Sequence, residues 1–158
     1  MLFRSGADNA YEKLAKIART LNKPVEERQT LERFVARDAS AVPARLRLLE
    51  LQLAAQDWQA LEATAQRLLA IDPMLKQGHS SLAVSAEQLG RTDISIRALE
   101  RVLLLDPDDP ADVHFRLARV LLSSGRKPEA KRHVLLALEE APRFESAQTL
   151  LLKIVRDK

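Results

Sequence analysis

The chain has no cysteine, four glycines, and only six aromatic side chains (four Phe, one Trp, one Tyr) in 158 residues. Without cysteine there is no disulfide framework, no thiolate metal site and no thiol nucleophile. So few glycines leave no glycine-rich loop to cradle a phosphate, and no serine carries the flanking glycines of a nucleophile elbow. The aromatic share of 4% argues against sheets built from aromatic and β-branched side chains. No apolar run approaches the roughly 20 residues that span a bilayer, and the opening MLFRSG is too short to hold a signal peptide's apolar core. Neither sign of charge dominates. Twenty-five Lys and Arg face 22 Asp and Glu, a net charge of +3 spread without blocks, which is a mixed solvated surface rather than a nucleic-acid footprint. These absences point away from an enzyme, from a bound cofactor or metal, and from RNA or DNA as partner. They favour a cytoplasmic setting, whether for a whole protein or for a piece of a longer one.

What is present is Ala, Leu, Arg and Glu in a pattern that returns every 34 residues. Positions 46–73 superpose on 80–107 at an offset of 34, with apolar, turn and Asp-Pro positions in register. A further copy follows at 115–142 after one inserted residue, and a weaker one precedes at 12–39. Within one unit, Leu82, Ala83 and Ala86 mark a first helix, Gly90 a turn, and Ile94, Ala98, Leu99, Val102 and Leu103 a second helix. Gly90 and Gly125 suit the left-handed residue that closes a helix, and Pro73, Pro107 and Pro142 each stop the second helix at the same point. Asp72 and Asp106 read as turn punctuation before those prolines. Each such unit is a helix pair that buries its apolar face only by stacking on a neighbour.

These residues resemble the tetratricopeptide repeat family. The large position of the first helix reads Leu14, Leu48, Leu82 and Leu117, and the small position beside it Ala15, Leu49, Ala83 and Ala118. The turn glycine stands as Gly90 and Gly125 but is replaced by Asn22 and Gln56. The small position of the second helix holds Ser95 and Ala130, with Leu61 and Glu27 as departures. The resemblance implies an all-α fold, a right-handed solenoid of antiparallel helix pairs. The expected organisation is a linker or excision scar over 1–7, four repeats over 8–41, 42–75, 76–109 and 111–144, and a capping helix over 145–158.

It also implies a non-enzymatic scaffold or adaptor that binds a protein or peptide in a concave groove lined by the first helices. Carried over residue by residue, that groove holds Lys16, Arg19, Arg47, Glu50, Val84, Glu87, Phe115, Arg116, Arg119 and Leu122, a mixed lining that leans basic. Arg47, Arg116 and Arg119 suit acidic side chains on a partner, or else pair with Glu50 and Glu87 as a solvated face. The carboxylate clamp of the family's chaperone-tail binders falls on Glu12, Lys16, Ser81, Asp112 and Arg116, where only the two basic members fit. His79 and His114 share one repeat position and, with no third ligand, read as packing rather than as a metal site; Trp58 likewise reads as core. Leu152 and Val155 widen the apolar face of the last helix beyond one stripe. They are the expected contact for a second function, self-association as a homodimer or as a structural domain of a larger protein.

Overall fold

A computed structural model describes residues 6–156, with side chains from residue 10 onward. Residues 1–5 of the expected linker and 157–158 of the expected cap lie outside the described residues. Among those described there are helices and no strand: α1 (Gly6–Thr20), α2 (Pro24–Arg37), α3 (Val42–Ala54), α4 (Trp58–Ile71), α5 (Lys76–Gln88), α6 (Thr92–Leu104), α7 (Pro110–Ser123), α8 (Lys127–Glu140) and α9 (Glu145–Arg156). The chain forms two compact units, one through Pro73 and one from Met74.

The turn inside each helix pair is made the same way four times. Asn22, Gln56, Gly90 and Gly125 have φ of 53°, 54°, 67° and 79°, the left-handed region. The next amide then reaches five residues back, Lys23 to the Ala18 carbonyl at 2.9 Å, Asp57 to Gln52 at 3.0 Å, Arg91 to Ala86 at 2.8 Å and Arg126 to Leu121 at 2.9 Å. That is a Schellman closure, in which a carbonyl orphaned at the helix end is satisfied as the chain reverses. Glycine enters this conformation freely, whereas Asn and Gln carry a Cβ into it at a cost.

Between pairs the chain uses another device. Asp38, Asp72 and Ala141 are extended or nearly so, each amide donating to the carbonyl four residues back. The connection 105–109 differs, being five residues long where 38–41 and 141–144 are four. Asp106 turns left-handed at φ 54°, and Asp109 caps α7 by accepting from the Asp112 amide at 3.0 Å. Lys76 pins this longer loop, donating to the Asp106 carbonyl at 3.1 Å and pairing with Asp108 at 2.7 Å. The residue inserted into the repeat is thus absorbed locally.

Each unit has its own core. In the first, Ala15, Leu31, Phe34, Ala44, Leu48 and Leu51 are buried together, with the Tyr11 ring stacked 6.4 Å from Phe34. In the second, Ala83, Leu99, Val102, Leu117, Leu121, Val134, Ala137, Ala147 and Ile154 form a continuous cluster from α5 to α9. Ala83, Ala118 and Ala130 lose all solvent contact, as small residues do where helices approach closely. Leu14 occupies the same repeat position as Leu48, yet Leu14 is 54% exposed and Leu48 1%.

No Cβ added at Gly90 or Gly125 would meet a neighbour within 4 Å, so only backbone strain opposes a side chain there. Gly90→Ala or Gly125→Ala is expected to cost about 1 kcal/mol. Gln56→Gly relieves about 1–2 kcal/mol of strain and gives back about 0.5–1 kcal/mol of chain entropy, so a small net stabilisation follows. Urea midpoints of the three variants check both signs.

Candidate functional site

The residues expected to line a groove fall on α1 and α3 in the first unit and on α5 and α7 in the second. In the first unit Lys16 is exposed on α1, while Arg19 and Arg47 converge on one carboxylate. That carboxylate is Glu27, 2% exposed, at the α2 position that holds Leu61, Ser95 and Ala130 in the other repeats. Arg47 donates through Nε to Glu27 Oε1 at 2.8 Å and through Nη2 to Oε2 at 2.9 Å, a bidentate fork. Arg19 Nε adds a third donor at 2.9 Å, and Arg47 Nη1 extends the chain to Glu50 at 2.6 Å. One buried anion therefore joins α1, α2 and α3. The Arg47 hydrogen bonds hold the Glu27 carboxyl below the ordinary glutamate range, against burial that pushes it up, with Arg19 assisting. The same bonds hold the Arg47 guanidinium above its ordinary value.

Two further arginines stiffen this unit. Arg28 on α2 reaches Asp57 at 2.6 Å and Glu32 at 2.7 Å, and Asp57 in turn caps α4 through the Ala60 amide at 3.2 Å. Arg45 is buried and donates to the carbonyls of Val35 and Asp38 at 3.2 and 3.3 Å. Trp58 opens α4 half-buried.

In the second unit Arg116 on α7 donates through Nε to Glu87 on α5 at 3.1 Å and lies 3.8 Å from Asp112. Arg119, one turn further, behaves differently. It is exposed, its guanidinium sits 5.8 Å from the centre of the Phe115 ring, and it pairs with no carboxylate among the described residues. Phe115 packs in turn on Phe144 at 4.9 Å. Val84 and Leu122 are half-buried on α5 and α7. Glu87 and Arg119 share a cleft of about 210 Å³ with Gly90, Thr92, Ser95 and Val120.

Leu152 and Val155 lie exposed on α9, at 56% and 48%, while Ala147 and Ile154 of the same helix are buried. Of the histidines, His114 meets His133 rather than standing alone, their Nδ1 atoms 3.0 Å apart. Among the described residues no three His, Cys, Asp or Glu groups are placed to hold a metal, and no helix is long and apolar enough to cross a membrane. In the sequence Glu27 stands out only as a departure from a small position, with no partner marked for it. The signal available was a charge in a column that is otherwise buried, since such a charge demands a cation.

Residues 86–154 match the tetratricopeptide repeat family model. None of the curated proteins matches the chain. Among solved structures, MamA AMB-1 is 20% identical over 95% of this chain and 81% of its own, with a TM-score of 0.80. YrrB, a TPR protein with an unusual peptide-binding site, is 14% identical over 92% of this chain and 75% of its own, with a TM-score of 0.79. MamA from Desulfovibrio magneticus RS-1 is 11% identical over 94% and 93%, with a TM-score of 0.72. Such likeness shows the fold, an all-α arrangement of helix pairs.

Glu27 supplies a test in acid. Its folded-state pKa is lowered, so above the unfolded value the folded state is favoured. In that acidic window the unfolded chain binds the proton first, and stability falls as pH drops through the folded value. Glu27→Gln is expected to cost about 2–4 kcal/mol at pH 7, because two guanidinium groups lose their anion. The gap between wild type and variant is expected to close as the pH is lowered below about 4.3, measured by urea denaturation across the series.

Proposed function

We propose that the chain is a non-catalytic protein-interaction module, and that α5 and α7 of the second unit present its working surface. The observation that carries this reading is the state of Arg119. Arg19, Arg47 and Arg116 are each committed to an internal carboxylate, and withdrawing them would strand Glu27 or Glu87. Arg119 is committed to none; its guanidinium lies against the Phe115 ring and opens onto a cleft with Thr92, Ser95 and Val120. A partner segment that sets a carboxylate against Arg119 and an apolar side chain against Phe115 answers both features. YrrB, with its peptide-binding site, supports a peptide as the class of ligand for this fold. Lys16, Glu50 and Glu87 then act as charge pattern around the contact rather than as its anchor. The Arg116–Glu87 pair ties α7 to α5.

This narrows the test to one residue. Arg119→Glu is expected to leave the thermal midpoint within about 0.5 kcal/mol of stability and to weaken capture of an acidic-apolar partner about tenfold or more. Arg47→Glu weakens capture only by unfolding the first unit, visible as a lower midpoint. Equal retention of one partner by wild type and Arg119→Glu, both folded, would remove this surface from consideration.

A second reading, self-association, rests on the exposure of Leu152 and Val155 along one side of α9. A mass that rises with concentration in sedimentation equilibrium, and that Leu152→Glu with Val155→Glu returns to the monomer, is its expected outcome. A constant monomer mass for the wild type would rule it out.

A further inference from the structure

Two histidines that the proposed function does not use meet within the α7–α8 helix pair. His114 Nδ1 and His133 Nδ1 lie 3.0 Å apart, and the rings stack at 30° with centroids 5.2 Å apart. At this distance one ring donates and the other accepts, so the two share a single proton on that edge; two imidazolium rings would face each other with two protons and no acceptor. Burial holds both rings below the ordinary histidine range. At His114 the charge of Glu140 opposes it; at His133 the His114 ring and Arg132 reinforce it and Glu129 opposes it. An uncharged imidazole is the form that ligates metals, and this Nδ1–Nδ1 contact requires an uncharged acceptor ring.

We propose that His114 and His133 form a two-imidazole site for a borderline divalent transition-metal ion, Cu(II) in preference to Zn(II). Spacing carries the argument. With metal–nitrogen bonds of about 2.0–2.1 Å, donors 3.0 Å apart subtend about 94° at the ion. That is the angle between neighbouring ligands of a square-planar or tetragonal centre. A tetrahedral centre needs about 3.3 Å between the nitrogens, so Zn(II) requires the rings to part. Nitrogen donors in tetragonal geometry suit Cu(II) and Ni(II), and the usual order of divalent affinities places Cu(II) first.

Binding moves the shared proton from Nδ1 to Nε2 of the same ring, by way of water. Both Nδ1 lone pairs then face the ion, each Nε2 carries a hydrogen, and no net proton is released. Water completes the coordination, since no third protein ligand converges among the described residues. Because the two ligands come from different helices, the ion would tie α7 to α8 beside the groove-lining residues Phe115 and Arg116.

The test titrates copper(II) sulfate and zinc(II) chloride, each alone, into the untagged full chain and into His114→Asn, His133→Asn and His79→Asn. The expected result is one Cu(II) per wild-type chain, with electron paramagnetic resonance showing nitrogen couplings from two imidazoles, and weaker Zn(II) binding. His114→Asn and His133→Asn should each weaken Cu(II) binding at least tenfold, and His79→Asn should not. Cu(II) affinity unchanged in both of the first two variants overturns the site, as does wild-type binding that depends on His79. Should a variant lose its helical signal, the wild type decides alone. Substoichiometric Cu(II) broadens the assigned ring-proton resonances of His114 and His133 first if the site is real, and those of His79 first or all three equally if it is not.

Discussion

Every helix pair in this chain depends on one backbone residue entering the left-handed region at the end of its first helix. Without that residue the chain cannot bring the next amide back to the carbonyl five positions earlier, and the second helix would leave in another direction. Four closures of the same kind, at Asn22, Gln56, Gly90 and Gly125, set four second helices against four first helices. The small positions then follow as a requirement, because helices reversed so tightly run close together. Ala83, Ala118 and Ala130 are buried completely for that reason, and Ser95 occupies the matching place in its own helix.

Against this uniform frame the two units are held by different forces. The second is an apolar continuum from α5 to α9, whose ion pair between Arg116 and Glu87 sits at its edge. The first has a smaller apolar cluster and places a carboxylate where its sister repeats place Leu61, Ser95 or Ala130. Burying Glu27 is tolerable because three guanidinium donors meet its two oxygens, so its desolvation is offset by charge-assisted hydrogen bonds. The arginines that look available for a partner are thereby occupied from within.

Much of the fold was legible because its signals are local. Proline after Asp72, Asp106 and Ala141 ends a helix by removing an amide, and glycine at 90 and 125 permits the reversal; both effects act within a few residues of the cause. The replacement of glycine by Asn22 and Gln56 was legible too, and the structure shows the same backbone adopted at a cost. The site was far less legible. Which carboxylate an arginine meets depends on helices brought together from 20 or 29 residues away, as for Arg47 with Glu27 and Arg116 with Glu87. Repeat logic compares like positions, so it set His114 beside His79, whereas the ring that meets His114 sits 19 residues on, in the other helix of its own pair. Leu14 shows the same limit, since a pattern says what a position is suited to bury and not what lies against it.

Repeat proteins invite the view that their modules are interchangeable parts, to be duplicated, deleted or shuffled as whole cassettes. The buried Glu27 denies that freedom to the first two. Its donors come from its own repeat, at Arg19, and from the following one, at Arg47, so a cassette cut between the two takes away the bidentate partner and leaves the buried anion with a single donor. Lengthening this chain by copying a repeat therefore asks least at the one that carries Ala130, because Glu27 and Glu87 each look to an arginine in the module that follows.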